Sequence, residues 1–124
     1  MADKAISKCT HVIFDLDGLM IDTEAIYTRV TEEILEPYGK TFDWSVKSKM
    51  MGRGSLEAAK VLVEELQLPL TAEEVVKISQ DKLLEQFPSA LLLPGVEKFV
   101  RHLHKHNIPF AVATGSGRQG YDKR

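Results

Sequence analysis

The segment Val12-Ile13-Phe14-Asp15-Leu16-Asp17-Gly18 decides how this chain folds. Thr10 to Phe14 is a β-branched and aromatic run of the kind that forms a short buried strand, and it stops at Asp15. Two carboxylates follow with one residue between them, and Gly18 is free to make the turn. Residues two apart in extended chain point the same way, so Asp15 and Asp17 can converge on one small site. In an open α/β sheet, ligands bind outside the carboxyl ends of the strands, which is where this pair lies. Carboxylates held so close repel each other unless a cation sits between them or one is protonated, and a hard divalent ion such as Mg²⁺ suits oxygen ligands of this kind.

Downstream of this loop the periodicity turns helical. From Thr23 to Leu35 the residues Ile26, Val30 and Ile34 recur every fourth position, with Tyr27 alongside, and Pro37 and Gly39 close the helix. A second short helix starts at Asp43 or Ser45, Gly52-Arg53-Gly54 interrupts it, and a third from about Ser55 aligns Ala59, Leu62, Val63 and Leu66. Thr71-Ala72-Glu73-Glu74 has the form of a capping box, which predicts a fourth helix running to about Phe87 and ended by Pro88. Pro94 is expected in the first turn of a fifth helix carrying Val96, Phe99, Val100 and Leu103, with Asn107 at its end. Ile108 to Ala113 then reads as a second buried strand, with Pro109 tolerated only near its start, and it stops at Thr114-Gly115-Ser116-Gly117. Strand, four-helix insertion, helix, strand is the opening of an α/β domain in which the two strands run parallel.

Composition limits the function classes. In 124 residues, 16 basic side chains face 18 acidic ones, a balance that calls for neither nucleic acid nor membrane as a partner. No apolar stretch approaches the roughly 18 residues that span a bilayer, and the first ten residues lack the pattern of a secretion signal. Cys9 is the only cysteine, so an internal disulfide is excluded and a reducing, cytoplasmic setting is expected.

The D-x-D-G loop after an apolar run, continued by Leu19-Met20-Ile21-Asp22-Thr23-Glu24, resembles the first signature of the haloacid-dehalogenase-like hydrolases, and Asp22-Thr23-Glu24 resembles the members whose helical cap follows that loop. Thr114, at the end of the second strand, matches the second signature. Leu93-Pro94-Gly95-Val96 matches the point where such chains re-enter the core. Within the family the chain is similar to the branch of small-phosphomonoester phosphatases that includes pseudouridine-5'-phosphatase. The resemblance implies an incomplete Rossmann-like parallel-sheet core made of the first two core strands, formed by residues 1–20 and 92–124, with a small helical cap at 21–91 inserted into it.

It further implies that Asp15 is the nucleophile, giving an aspartyl-phosphate, and that Asp17 is the general acid and base. Mg²⁺ would be held by the Asp15 side chain and the Asp17 backbone carbonyl. Thr114, with the backbone N–H groups of Gly115 and Ser116, would bind the transferring phosphoryl group. Arg53, flanked by glycines in the cap, would reach a substrate phosphate or sugar, a solvated loop arginine being the competing reading. The implied partner is a small phosphorylated metabolite.

Other residues take plainer expectations. His102, His104 and His106 read as a charged helix end rather than a metal site, Met20, Met50 and Met51 as packing and cap-flexing residues, and Trp44 as an anchor of the cap helices.

Family members continue with a third signature, a lysine, and a fourth, an acidic pair that completes the metal site. Neither is found before Arg124, which predicts a loss on the order of 10³-fold or more in rate for the chain as given. Three functions follow: a Mg²⁺-dependent phosphatase of a small phosphomonoester, a catalytically silent phosphate- or partner-binding module, and a phosphomutase sharing the same two loops. A chain with only two core strands is also expected to self-associate through an uncovered sheet edge.

Overall fold

The computed structural model describes residues 8–123. In chain order the elements are β1 (Val12–Phe14), α1 (Glu24–Leu35), α2 (Trp44–Met50), α3 (Ser55–Leu66), α4 (Ala72–Gln86), α5 (Val96–Lys105), β2 (Phe110–Val112) and the single turn α6 (Arg118–Tyr121). They divide into two compact units. One joins the chain up to Asp22 with Leu91–Ser116, and the other joins Thr23–Ala90 with Gly117–Arg124. None of the described helices is long and apolar enough to cross a membrane.

The first unit is α/β. β1 and β2 pair in parallel, Val12 opposite Phe110, Ile13 opposite Ala111 and Phe14 opposite Val112. Pro109 has no N–H to give but supplies its carbonyl to Val12 N at 3.0 Å, and Ala113 N reaches Phe14 O at 2.8 Å, so the pairing extends at both ends. Phe14 is buried and meets the edge of Phe99 on α5 at 5.7 Å and of Phe110 at 6.3 Å. Leu103 on the same helix is also buried. The alternation of a strand sends Ile13 to the opposite face, where it is 72 % exposed.

α5 begins at Val96, two residues after the proline expected in its first turn. Gly95 is the residue before its first turn, with φ of +87°, a conformation that side chains with a Cβ rarely adopt. Pro94 therefore lies outside the helix, because the residue after it is left-handed.

The second unit is a helical bundle with two apolar centres. Leu35, Val46, Ala59, Leu62, Leu68, Ala72 and Val75 form one, drawing on all four helices, while Ile26, Val30, Ile34, Leu83 and Phe87 join α1 to α4. Leu62 is 2 % exposed, and truncating such a leucine to alanine costs about 2–5 kcal/mol. Polar contacts fix the helix ends. The Thr71 hydroxyl accepts from Glu74 N at 3.2 Å while the Glu74 carboxylate accepts from Thr71 N at 2.8 Å, the capping box expected from the sequence. Asp43 caps α2 by accepting from Val46 N at 3.2 Å, and the Ser45 hydroxyl, with that N–H, holds its carboxyl below the usual range.

Trp44 does not anchor the bundle. It occupies the first position of α2 and is 67 % exposed, since that short helix turns only Val46 fully inward.

Candidate active site

The site is built by two loops that leave the carboxyl ends of paired parallel strands. β1 ends at Phe14, and the chain turns so that Asp15 is exposed, Leu16 is buried and Asp17 is half-buried. Gly18 has φ of +74°, the left-handed region that a glycine enters without steric cost. The loop then folds onto itself. Met20 N and Ile21 N both donate to Leu16 O, at 3.0 and 3.2 Å, and Gly18 N donates to Ile21 O at 2.9 Å. Ile21 also bridges Leu92 in antiparallel fashion, flanked by bonds from Asp22 N to Leu91 O and from Leu93 N to Met20 O, each 2.9 Å. The carboxylate loop is thus held by backbone bonds on both sides.

The second loop is laced to the first. The Ser116 hydroxyl donates to Asp17 Oδ2 at 2.6 Å and the Thr114 hydroxyl donates to the same oxygen at 3.4 Å. Ser116 N donates to Thr114 Oγ1 at 3.1 Å. Asp17, Thr114 and Ser116 therefore form one cluster, with Asp15 two residues upstream on the same loop. Gly115 is exposed, and a Cβ added there would meet nothing within 4 Å. The phosphoryl-binding role expected of Thr114 and of the Ser116 N–H meets a geometry in which the Ser116 N–H donates to the Thr114 hydroxyl oxygen and the Thr114 hydroxyl donates to Asp17. The Ser116 side chain as a partner of Asp17 is a contact that sequence reasoning missed.

Arg53 belongs to the helical unit. It is exposed, its Nε donates to Lys49 O at 2.6 Å, and it borders a cavity among the helices of that unit. His102 and His106 lie on α5 and at its end, exposed, with ring centroids 4.4 Å apart.

The donor chemistry of the carboxylate loop suits a hard cation. Asp15 offers an exposed carboxylate and the loop offers backbone carbonyls, while no group of three or more His, Cys, Asp or Glu side chains among the described residues is arranged around a common point. Mg²⁺ accepts so sparse a set, since it commonly takes one or two carboxylates and completes its shell with water and substrate phosphate.

Residues 12–124 match the family described as haloacid dehalogenase-like hydrolase. The chain is 45 % identical over 124 residues to (DL)-glycerol-3-phosphatase 1, mitochondrial, of Arabidopsis thaliana, covering 98 % of this chain and 42 % of that protein. It is 44 % identical over 117 residues to the "Probable pseudouridine-5'-phosphatase" of Drosophila melanogaster, covering 94 % and 51 %. Among solved structures, a haloacid dehalogenase family hydrolase from Deinococcus radiodurans, with bound phosphate and sodium, superposes with a TM-score of 0.73 at 19 % identity, covering 92 % of this chain and 50 % of that one. A Thermotoga maritima protein assigned as a β-phosphoglucomutase gives 0.72 at 26 %, covering 93 % and 54 %. The chain spans about half the length of the curated relatives it matches.

Proposed function

The chain belongs to the haloacid dehalogenase-like hydrolase family, and from that premise we propose that the whole protein is a phosphatase of a small phosphomonoester, working through an aspartyl-phosphate. The observation that carries this reading is the pair of carboxylates at the end of β1, with Asp17 bound by the Ser116 and Thr114 hydroxyls from the end of β2.

In the first step a carboxylate oxygen of Asp15 attacks phosphorus and the bond from phosphorus to the alcohol oxygen breaks, while Asp17 gives its proton to the departing oxygen. In the second, Asp17 takes a proton from water, the water oxygen attacks phosphorus, and the Asp15 carboxylate is released with inorganic phosphate. Asp15 is exposed and so accessible to substrate, whereas the half-buried Asp17 is held by two hydroxyls that fix its direction. Thr114 and the loop at Gly115 and Ser116 line the place of the phosphoryl oxygens. The Asp15 side chain and the Asp17 backbone carbonyl would hold Mg²⁺, which supplies neutralisation of the phosphate charge. The alcohol is a nucleoside, a sugar or glycerol, in line with the names of the relatives.

A phosphatase screen of the whole protein over nucleotides, sugar phosphates and glycerol phosphate tests the proposal, with Asp15→Asn as its control. The amide cannot act as the attacking carboxylate, so turnover should disappear almost entirely. Turnover within about tenfold of the unmodified protein would sink the assignment of the nucleophile.

The likeness to the β-phosphoglucomutase assignment favours one second reading, transfer of the phosphoryl group to a sugar hydroxyl. The same screen separates it, because a mutase yields an isomeric sugar phosphate and little inorganic phosphate.

A further inference from the structure

Two histidines stand one helical turn apart at the carboxyl end of α5. The backbone N–H of His106 donates to His102 O at 3.1 Å, so a helical hydrogen bond sets the spacing of the two residues directly. Residues four apart in a helix share a face, which brings their side chains together. Both are exposed, and their ring centres are 4.4 Å apart with the planes inclined at 48°. Their ring nitrogens make no hydrogen bond or ion pair among the described residues.

That spacing has a chemical meaning. A divalent metal held by two imidazoles lies about 2 Å from each nitrogen and so roughly 3 Å from each ring centre, and with the two bonds near a right angle the centres are then roughly 4.5 Å apart. Imidazole nitrogen suits Cu²⁺, Ni²⁺ and Zn²⁺ and not Mg²⁺, which seeks oxygen. The exposed rings need only turn about their side-chain bonds to aim one nitrogen each at a common point, and the helix stays as it is. No group of three or more His, Cys, Asp or Glu among the described residues includes the pair, so water fills the remaining positions of the metal. The end of a helix favours a cation, and the neighbouring Arg101 is engaged by Glu97 at 2.9 Å through Nε. Lys98 and Lys105 lie on the same helix, so attraction comes from coordination and not from net charge.

We propose that His102 and His106 form an open two-histidine site for a divalent transition-metal ion, with none of the aspartates among its ligands. Sequence patterning reads these histidines as a charged helix end, and the paired rings add a ligand capacity to that role. The site also bears on the fold. Asn107, at φ of +54°, turns the chain out of the helix directly after His106, so a metal held by both rings clamps the last turn of the helix whose Phe99 meets Phe14. The proposal does not rest on the phosphatase reading.

Equilibrium dialysis of the untagged 124-residue chain against Ni²⁺ tests it, in excess Mg²⁺ so that carboxylate sites are occupied. One Ni²⁺ per chain should be retained, and Cu²⁺ should displace it. A ligand counts for at least as much as the groups that support ligands, so His102→Ala and His106→Ala should each weaken binding by about tenfold or more. His104→Ala should leave it unchanged, because residue 104 faces another side of the helix. Cys9 and His11 are the competing soft donors, and Cys9→Ser should also change nothing. Thermal melts give a second readout that confirms each variant is folded: Ni²⁺ should raise the melting temperature of the unmodified chain and not that of His106→Ala. No retained Ni²⁺, retention that survives both His102→Ala and His106→Ala, or an equal loss in His104→Ala or Cys9→Ser overturns the proposal.

Discussion

The Ser116 hydroxyl donates a 2.6 Å hydrogen bond to Asp17 Oδ2 across 99 residues of sequence. A short bond to a carboxylate is among the stronger hydrogen bonds in proteins, and here it fixes the direction of the residue proposed to move protons. Ser116→Ala in the whole protein should lower kcat about tenfold with little change in KM, the pattern of a group that positions another and does not hold the substrate. Ser116→Thr keeps the hydroxyl and should restore most of the rate. A rise in KM with kcat untouched would place Ser116 on the substrate instead.

Glu33 and Lys82 couple α1 to α4. The Lys82 ammonium, bonded to Glu33 at 2.8 Å, and then the Gln86 amide at 2.9 Å hold the Glu33 carboxyl below its usual range, and the same contact with Glu33 raises Lys82. A carboxyl lowered on folding contributes stability above its unfolded pKa and loses it as pH falls through the folded value. A lysine raised on folding contributes below its unfolded pKa and loses it as pH rises through the folded value. The melting difference between the unmodified chain and Glu33→Gln should therefore be fullest near neutrality, closing in acid and again in strong base. Both groups face solvent, so the difference is small and shrinks with added salt. Thermal melts followed by circular dichroism across the acid limb check it, and a difference that persists unchanged at the acid end would remove the ion pair as its source.

The sheet face behind Ile13 is bare in the described chain. Ile13 is 72 % exposed, its register partner Ala111 on the same face is exposed as well, and each of the two strands has a neighbour on one side only. Open backbone edges beside exposed apolar side chains invite pairing between copies. Size exclusion with light scattering should show mass rising with the concentration of the 124-residue chain, and Ile13→Lys should suppress the rise. A single monomeric mass at every concentration would show that the edge is blunted in some other way.

What could be read from the sequence was what depends on neighbours along the chain. The capping box at Thr71 and Glu74 and the four-residue rhythm of Ile26, Val30 and Ile34 are local, so the helices of the bundle and their inward faces were legible. The two strand ends were legible because an apolar run that breaks at a carboxylate or at Thr-Gly has few other meanings. The contact of Ser116 with Asp17 was not, since it depends on the register of two strands far apart in sequence, and neither residue signals the other. The hydrogen bond from Lys47 to Thr28, 19 residues apart, escaped for the same reason. Trp44 misled because its size suggests burial, whereas burial is set by which side of a seven-residue helix faces the bundle. Pro94 misled because its fixed φ suits a first turn, yet the left-handed Gly95 intervenes.

The antiparallel bridge of Ile21 with Leu92 places the outgoing and returning chains side by side. Everything from Thr23 to Ala90 is thus spliced into the α/β framework at a single point, as a cassette with adjoining ends. The framework does not register how long or of what kind the cassette is, because the closure it must satisfy is already met by the bonds on either side of Ile21, and loop length adds to that closure cost only slowly. Selection can then rework or replace the cassette wholesale while leaving the aspartates in their places, so that two halves of one chain are free to diverge at different speeds.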